Sequence, residues 1–129
     1  MKKEDFFMKE NDTVNLDIFG EIFKYKKVTA GDELNWIDDY TERYTEVNKE
    51  GKEVKKARQN LKNLIRCKLR NIVQLPFDQA TLTKISGLEK FYKDYSSEEK
   101  DRLFGLLQPS VMDELIKKID ASRKNKKKN

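Results

Sequence analysis

The chain has no histidine and one cysteine among its 129 residues. Without histidine there is no Ser-His-Asp or Cys-His nucleophile pair, and no imidazole to hold a metal. A lone Cys67 makes neither an intramolecular disulfide nor a multi-cysteine zinc site. Its place on the expected helix points away from the apolar stripe, and no neighbouring base activates it. Five scattered glycines form no phosphate-cradling loop, and no EF-hand spacing is present. No run approaches the roughly 18 apolar residues of a membrane helix. The opening "MKKEDFFMKEN" has basic residues around only a three-residue apolar stretch, so it does not read as a secretory signal, and a cytoplasmic location is expected.

What the chain does have is charge. Charged residues make up 40% and apolar residues 36%, against about 25% and 45–50% in ordinary domains. Such a composition poorly covers a sheet buried on both faces. It suits helices with one apolar stripe each. The net charge is +5, and Arg123, Lys124, Lys126, Lys127 and Lys128 account for all of it. The body is therefore balanced, and the basic character sits in a terminal run that reads as a solvated tail.

Residues 1–12 read as a mobile arm, 13–121 as one α-rich domain and 122–129 as a disordered basic tail. Within "TVNLDIFGEIFKYKKVT" a Gly20-Glu21 loop suits a two-residue hairpin turn. That register pairs Ile18 with Phe23, Leu16 with Tyr25 and Asp17 with Lys24. Thr29 and Asp32 then stand in a variant of capping-box spacing. Leu34, Ile37, Tyr40, Tyr44 and Val47 recur at helical intervals, with Trp36 at the edge of the stripe, and predict a helix to about Val47. A second, long helix is expected from about Glu53 to Leu75, where Pro76 stops it. A third fits 79–95, with Gly87 a possible break. Ser96 and Glu99 open a fourth by capping-box spacing, and Pro109 begins the last. The expected fold is mainly α: a small bundle of about five helices preceded by a short N-terminal β-hairpin.

Three function classes compete. Asp38, Asp39 and Glu42 are the nearest approach to a carboxylate cluster, but they share a solvated face, so no catalytic residues are assigned and the chain reads as a non-enzyme without cofactor or metal. Nucleic-acid binding has two signals. One is the tail, with Lys124, Lys126, Lys127 and Lys128. The other is "VKKARQNLKNLIRCKLR", which sets seven cations along one expected helix. Protein binding is favoured by Trp36, Tyr40, Tyr44, Phe91, Tyr92, Tyr95 and Phe104. Rings of this kind suit surfaces that are apolar on one side and wet on the other. A small interior leaves some of them to line a groove for an amphipathic helix.

The layout as a whole supports the third class. A hairpin, then "KYKKVTAGDELNW", then helices closing in "SSEEKDRLFGLLQPSVMDELIKKI" resembles the small tail assembly chaperones of long-tailed bacteriophages. The resemblance spans roughly residues 13–121 through degenerate motifs. It implies a phage or prophage protein that binds the helical tape measure protein, with the tail tube protein as a further partner, during virion assembly; the residues themselves leave open whether the chain forms a homo-oligomer. It also implies a longer frameshifted product, for which the codons of Lys126–Lys128 would supply the slippery stretch.

Overall fold

The computed structural model describes residues 2–9 and 11–123. Among them are five α-helices and five strands in two separate sheets. The expectation of a mainly α bundle is therefore overturned. The chain is an α/β mixture, and two of the expected helices contain strands.

The first hairpin forms as β1 (Thr13–Ile18) and β2 (Glu21–Lys26), but its turn is Phe19-Gly20 rather than Gly20-Glu21. Both turn residues have positive φ, 51° and 88°, which is the two-residue turn whose twist matches the strands. Asp17 accepts the Gly20 amide at 2.8 Å, and the observed register sets it opposite Ile22 rather than Lys24. The slide moves each partner by two positions, setting Leu16 opposite Phe23 and Val14 opposite Tyr25. A two-residue shift preserves the faces, so the inward set is the expected one.

Thr29 caps α1 (Ala30–Tyr40) as its spacing predicts. It accepts the Asp32 amide at 3.1 Å, while the Asp32 carboxylate accepts the Thr29 amide at 3.1 Å. Burial pushes the Asp32 carboxyl up, but Lys26, the Thr29 amide and Asn71 together hold it below the usual carboxylate range. The helix stops at Tyr40 rather than Val47. From there β3 (Thr41–Val47) pairs with β4 (Glu53–Gln59) in an antiparallel ribbon. On one face of the ribbon Glu42 meets Arg58 and Glu46 meets Lys56, and Arg58 lies 5.0 Å over the Tyr44 ring. Alternation of this kind stabilises a strand pair cross-strand by cross-strand. Most ribbon side chains are exposed, so the body places few demands on them.

The expected 53–75 helix is three elements: β4, then α2 (Leu61–Arg70), then β5 (Ile72–Gln74). Asn60 interrupts them and caps α2 by accepting the Asn63 amide. Cys67 faces inward, 1% exposed, against the expectation that it points away. β5 adds to β2, giving the order β1-β2-β5. Then α3 (Gln79–Ser86) ends at Gly87 in the left-handed conformation, so the helix expected over 79–95 stops there and only a 3-10 turn, Tyr92–Asp94, follows. Ser96 and Glu99 form the capping box of α4 (Ser97–Phe104), and Pro109 opens α5 (Pro109–Arg123). This last helix runs two residues past the expected domain end at 121.

The core lies between the inner face of the three-stranded sheet and the helices. Tyr25, Ile72, Leu115 and Ile119 are completely buried at its centre. The helix α5 lies along β1, so one end of both elements marks each pole of the molecule.

A candidate docking groove at the hairpin turn

At the Phe19 pole the elements stop short of closing over one another. A groove of about 560 Å³ opens there. Its floor comes from the ends of β1 and β2, where Ile18 and Phe23 are buried, and from Leu82 of α3 and Phe104 of α4. Phe77, in the loop after β5, meets Phe23 edge to face with ring centroids 6.1 Å apart. Leu106, in the α4–α5 connection, and Ile85, near the end of α3, form the opposite rim. The only polar side chains in the lining are those of Glu21 and Gln108. Beyond Ile85 and Leu106 the surface continues into a smaller cleft that includes Glu99 and Arg102. The trough is thus apolar along its middle and charged at its flank.

Phe19 marks the groove most sharply. It is 69% exposed and adopts a left-handed backbone conformation. That conformation costs a residue other than glycine about 1–2 kcal/mol, and the first position of such a turn ordinarily holds asparagine, aspartate or glycine. A phenyl ring held out in water at a strained position contributes little to the free protein's stability. Strain retained in this way points to a use. Leu106, 61% exposed on the facing rim, presents the same contradiction of a large apolar group left to solvent.

The structure disperses the seven aromatic residues read as partner-binding. Trp36 is 7% exposed and lies under Arg123, whose guanidinium is 5.2 Å from its ring. Tyr92 and Tyr95 are buried. Tyr92 donates its hydroxyl proton to the Ile72 carbonyl at 2.6 Å, and Tyr95 hydrogen-bonds Ser86 at 2.7 Å. Tyr40 is half-buried at the end of α1, Tyr44 stands on the ribbon, and Phe91 is exposed with Lys93 5.7 Å from its ring. Of the seven only Phe104 borders the groove, as part of its floor. Of the rim residues, Ile85 follows Leu82 at helical spacing on α3, whereas Phe19, Phe77 and Leu106 carry no helical periodicity. Their only sequence signal is that each large apolar residue sits at or beside a turn or helix end, where a core contact is hard to make.

The long cationic stretch is also redistributed. Lys55, Lys56 and Arg58 belong to β4, whereas Lys62, Arg66, Lys68 and Arg70 belong to α2. Arg70 binds Asp101 through two nitrogens, at 3.1 and 2.6 Å. Its guanidinium is held further above its usual range first by that hydrogen bond, against the opposing effect of burial. Lys68 lies 2.9 Å from Asp120, and Arg66 approaches Asp101 at 3.9 Å. No single helix therefore presents the seven cations as a track. Lys124, Lys126, Lys127 and Lys128 lie outside the described residues.

Burial pushes the Cys67 thiol up, and Asp39 beside it acts in the same direction. A thiol so held is a weak nucleophile. Among the described residues no group of three or more His, Cys, Asp or Glu side chains is placed to hold a metal ion, and no helix is long and apolar enough to cross a membrane. No family model, curated protein or solved structure matches the chain.

Proposed function

We propose that the chain is a non-enzymatic binding protein that shelters an amphipathic helix of a partner in the groove beside Phe19. The observation that carries this reading is the apolar trough whose rim exposes Phe19 and Leu106 and whose flank carries Glu21, Glu99 and Arg102. An amphipathic helix offers the matching pattern, with apolar residues one turn apart and charges along the margin. The resemblance to phage tail assembly chaperones supplies the finer form of the proposal. In that form the partner is the tape measure protein, met in the host cytoplasm during tail morphogenesis, and the groove covers its apolar faces until tail tube subunits replace the chaperone. Exposed apolar helix faces otherwise associate with one another, so temporary cover has a physical purpose.

The test uses two labelled peptides of one composition, leucine and lysine. One places leucine at helical spacing and the other alternates it. Fluorescence anisotropy is expected to show saturable binding of the helical peptide, lost in Leu106→Glu, a change at an exposed site that leaves the core intact. Equal binding of both peptides, or an unchanged affinity in the variant, overturns the assignment of the groove. For the finer form, co-expression with a tape measure protein is expected to keep that protein soluble with the wild type and not with Leu106→Glu.

A further inference from the structure

The β3–β4 ribbon supplies no buried side chain, and its two faces differ in charge. Residues directly opposite in an antiparallel pair share a face, so the register sorts the side chains. One face carries Glu42, Tyr44, Glu46, Lys56 and Arg58, and its charges are matched: Glu42 with Arg58 at 2.9 Å, and Glu46 with Lys56. The other carries Arg43 and Lys55 beside the small residues Thr45 and Ala57, with Glu53 at its turn end. Among the described residues neither Arg43 nor Lys55 belongs to an ion pair of the ribbon. Arg43 stands opposite Ala57 and Lys55 opposite Thr45, so the two cations are diagonal neighbours, about 7–8 Å apart at the backbone. Like charges so placed repel, and an anion between them relieves the repulsion. A shallow hollow of about 500 Å³ lies there, lined by Arg43, Thr45, Lys55 and Ala57 with Tyr44 and Lys56.

We propose that this face binds the phosphates of B-form duplex DNA, with the ribbon lying in the major groove. The ribbon's four carboxylates do not oppose this. Glu42 and Glu46 are neutralised on the other face, and Glu50 and Glu53 are offset by Lys49 and Lys52 around the turn. What remains is the positive charge of Arg43 and Lys55 at the middle of one face. Duplex DNA carries one negative charge per roughly 1.7 Å of axis, a density to which two free cations respond wherever they meet it. The dimensions agree. Each strand has seven residues, about 23 Å in length, and the major groove, about 12 Å wide, admits a two-stranded ribbon. Thr45 and Ala57 are small enough to let the two cations approach the backbone, and the Thr45 hydroxyl is a further donor for a phosphate. The turn residues Asn48, Lys49, Glu50, Gly51 and Lys52 offer nothing apolar to enter a membrane. The major groove of A-form RNA is too deep and narrow for the ribbon. Contacts to phosphate position the protein without reading sequence, so the binding is general and salt-sensitive, with a Kd of about 1–100 μM. The net charge of +5 favours the encounter. This site is separate from the groove beside Phe19 and does not depend on how that groove is read.

Anisotropy of a short labelled DNA duplex, titrated with the full chain at several salt concentrations, tests it. The wild type is expected to bind, with the logarithm of its affinity falling linearly as the logarithm of salt rises. The double variant Arg43→Gln, Lys55→Gln is expected to make that slope shallower by about 1.8, two phosphate contacts at about 0.9 each. The control Lys24→Gln, Lys84→Gln removes the same charge from exposed positions on β2 and α3 and is expected to change the slope far less. The terminal lysines are present in all three proteins, so their contribution cancels. All four altered residues are exposed, and circular dichroism registers whether both variants fold. An RNA duplex of the same sequence is expected to bind more weakly than the DNA. Absence of DNA binding at low salt, or equal slopes in the ribbon variant and the control, overturns the proposal. Equal affinity for the RNA duplex overturns the placement in the major groove. Binding to phosphatidylserine vesicles that requires Arg43 and Lys55, with none to DNA, gives the face to a membrane and likewise overturns it.

Discussion

Replacing Phe19 with asparagine and, separately, with alanine separates two costs that the wild-type residue combines. Both changes remove the phenyl ring. They differ in backbone preference, because asparagine tolerates the left-handed conformation at φ 51° and alanine does not. The asparagine variant is therefore expected to be more stable than the alanine variant by about 1 kcal/mol. The ring itself is about one third covered in the free protein. Its loss costs each variant about 1 kcal/mol of the roughly 3 that complete burial of a phenylalanine provides. A ligand seated in the groove covers the remaining two thirds, worth about 2 kcal/mol and hence roughly thirtyfold in Kd. Urea denaturation followed by circular dichroism gives the first comparison, and anisotropy of the helical leucine-lysine peptide gives the second. The two variants should bind equally weakly and differ in stability. Equal stabilities would show that the turn carries no strain at this residue. Wild-type affinity in both would remove Phe19 from the binding surface.

Two further expectations concern the body of the protein. Burial holds the hydroxyls of Tyr25 and Tyr92 well above the ordinary tyrosine range, with Asp120 and Asp32 adding to it at Tyr25 and Arg123 opposing. Each hydroxyl donates to a carbonyl, that of Lys68 at 2.8 Å and of Ile72 at 2.6 Å. The stability these groups contribute is complete below the unfolded tyrosine pKa near 10, and declines above it because the unfolded chain ionises while the folded one does not. At pH 11 the loss is about 1.4 kcal/mol for each tyrosine, or about 2.8 for both. Urea unfolding at pH 9 and pH 11 should show that much less pH dependence in Tyr25→Phe, Tyr92→Phe than in the wild type. Excising the ribbon from Thr41 to Gln59 and joining Tyr40 to Asn60 through two glycines should leave the unfolding midpoint within a few degrees, because the Tyr40 carbonyl already accepts the Asn60 amide at 2.6 Å. Scanning calorimetry measures the midpoint, and a collapse of cooperativity would show that the ribbon supports the core.

Helix starts marked by a strong cap were legible in the sequence because a cap is a local event, whereas the start of α2, expected near Glu53, lies at Leu61. Thr29, Ser96 and Pro109 each determine their junction through one or two neighbouring amides, and all three begin helices. Helix ends between 40 and 60 were not legible, because one set of residues satisfied two periods. Tyr40, Tyr44 and Val47 recur at helical spacing, while Thr41, Thr45 and Val47 are β-branched and alternate with Glu42, Tyr44 and Glu46. Burial would ordinarily decide between such patterns, but the ribbon is almost wholly exposed and has no buried face to select one. The decisive information lies in partners ten or more residues away: Arg58 for Glu42 and Lys56 for Glu46. Pairing across a turn is a property of two segments read together. Four of the aromatic residues expected to bind a partner lie in the interior for a related reason. Buried rings stabilise a domain this polar by covering large areas, so a helical aromatic stripe marks its core before it marks its ligand site.

The same argument explains why a groove should be built from turn residues. A large side chain in the middle of a helix or strand is carried toward or away from the core by the element's periodicity, and its exposure is fixed together with that of its neighbours. A side chain at a turn or helix end is free of that constraint. Phe19 stands on a hairpin turn, Phe77 in the loop after β5, Ile85 in the last turn of α3 and Leu106 just past α4. Each can remain apolar without its exposure being dictated by a buried face, and four separate element ends converge on one pole to make a surface that no single element displays. Leu34 and Ile37 on α1, and Leu61 and Ile65 on α2, are comparably exposed but stand on helix faces away from this convergence. Changes at the groove rim should therefore alter binding far more than folding. Changes at Leu115 or Ile119 of α5, which lie wholly inside, should destabilise by about 2–5 kcal/mol when cut to alanine and alter binding only through the loss of the fold.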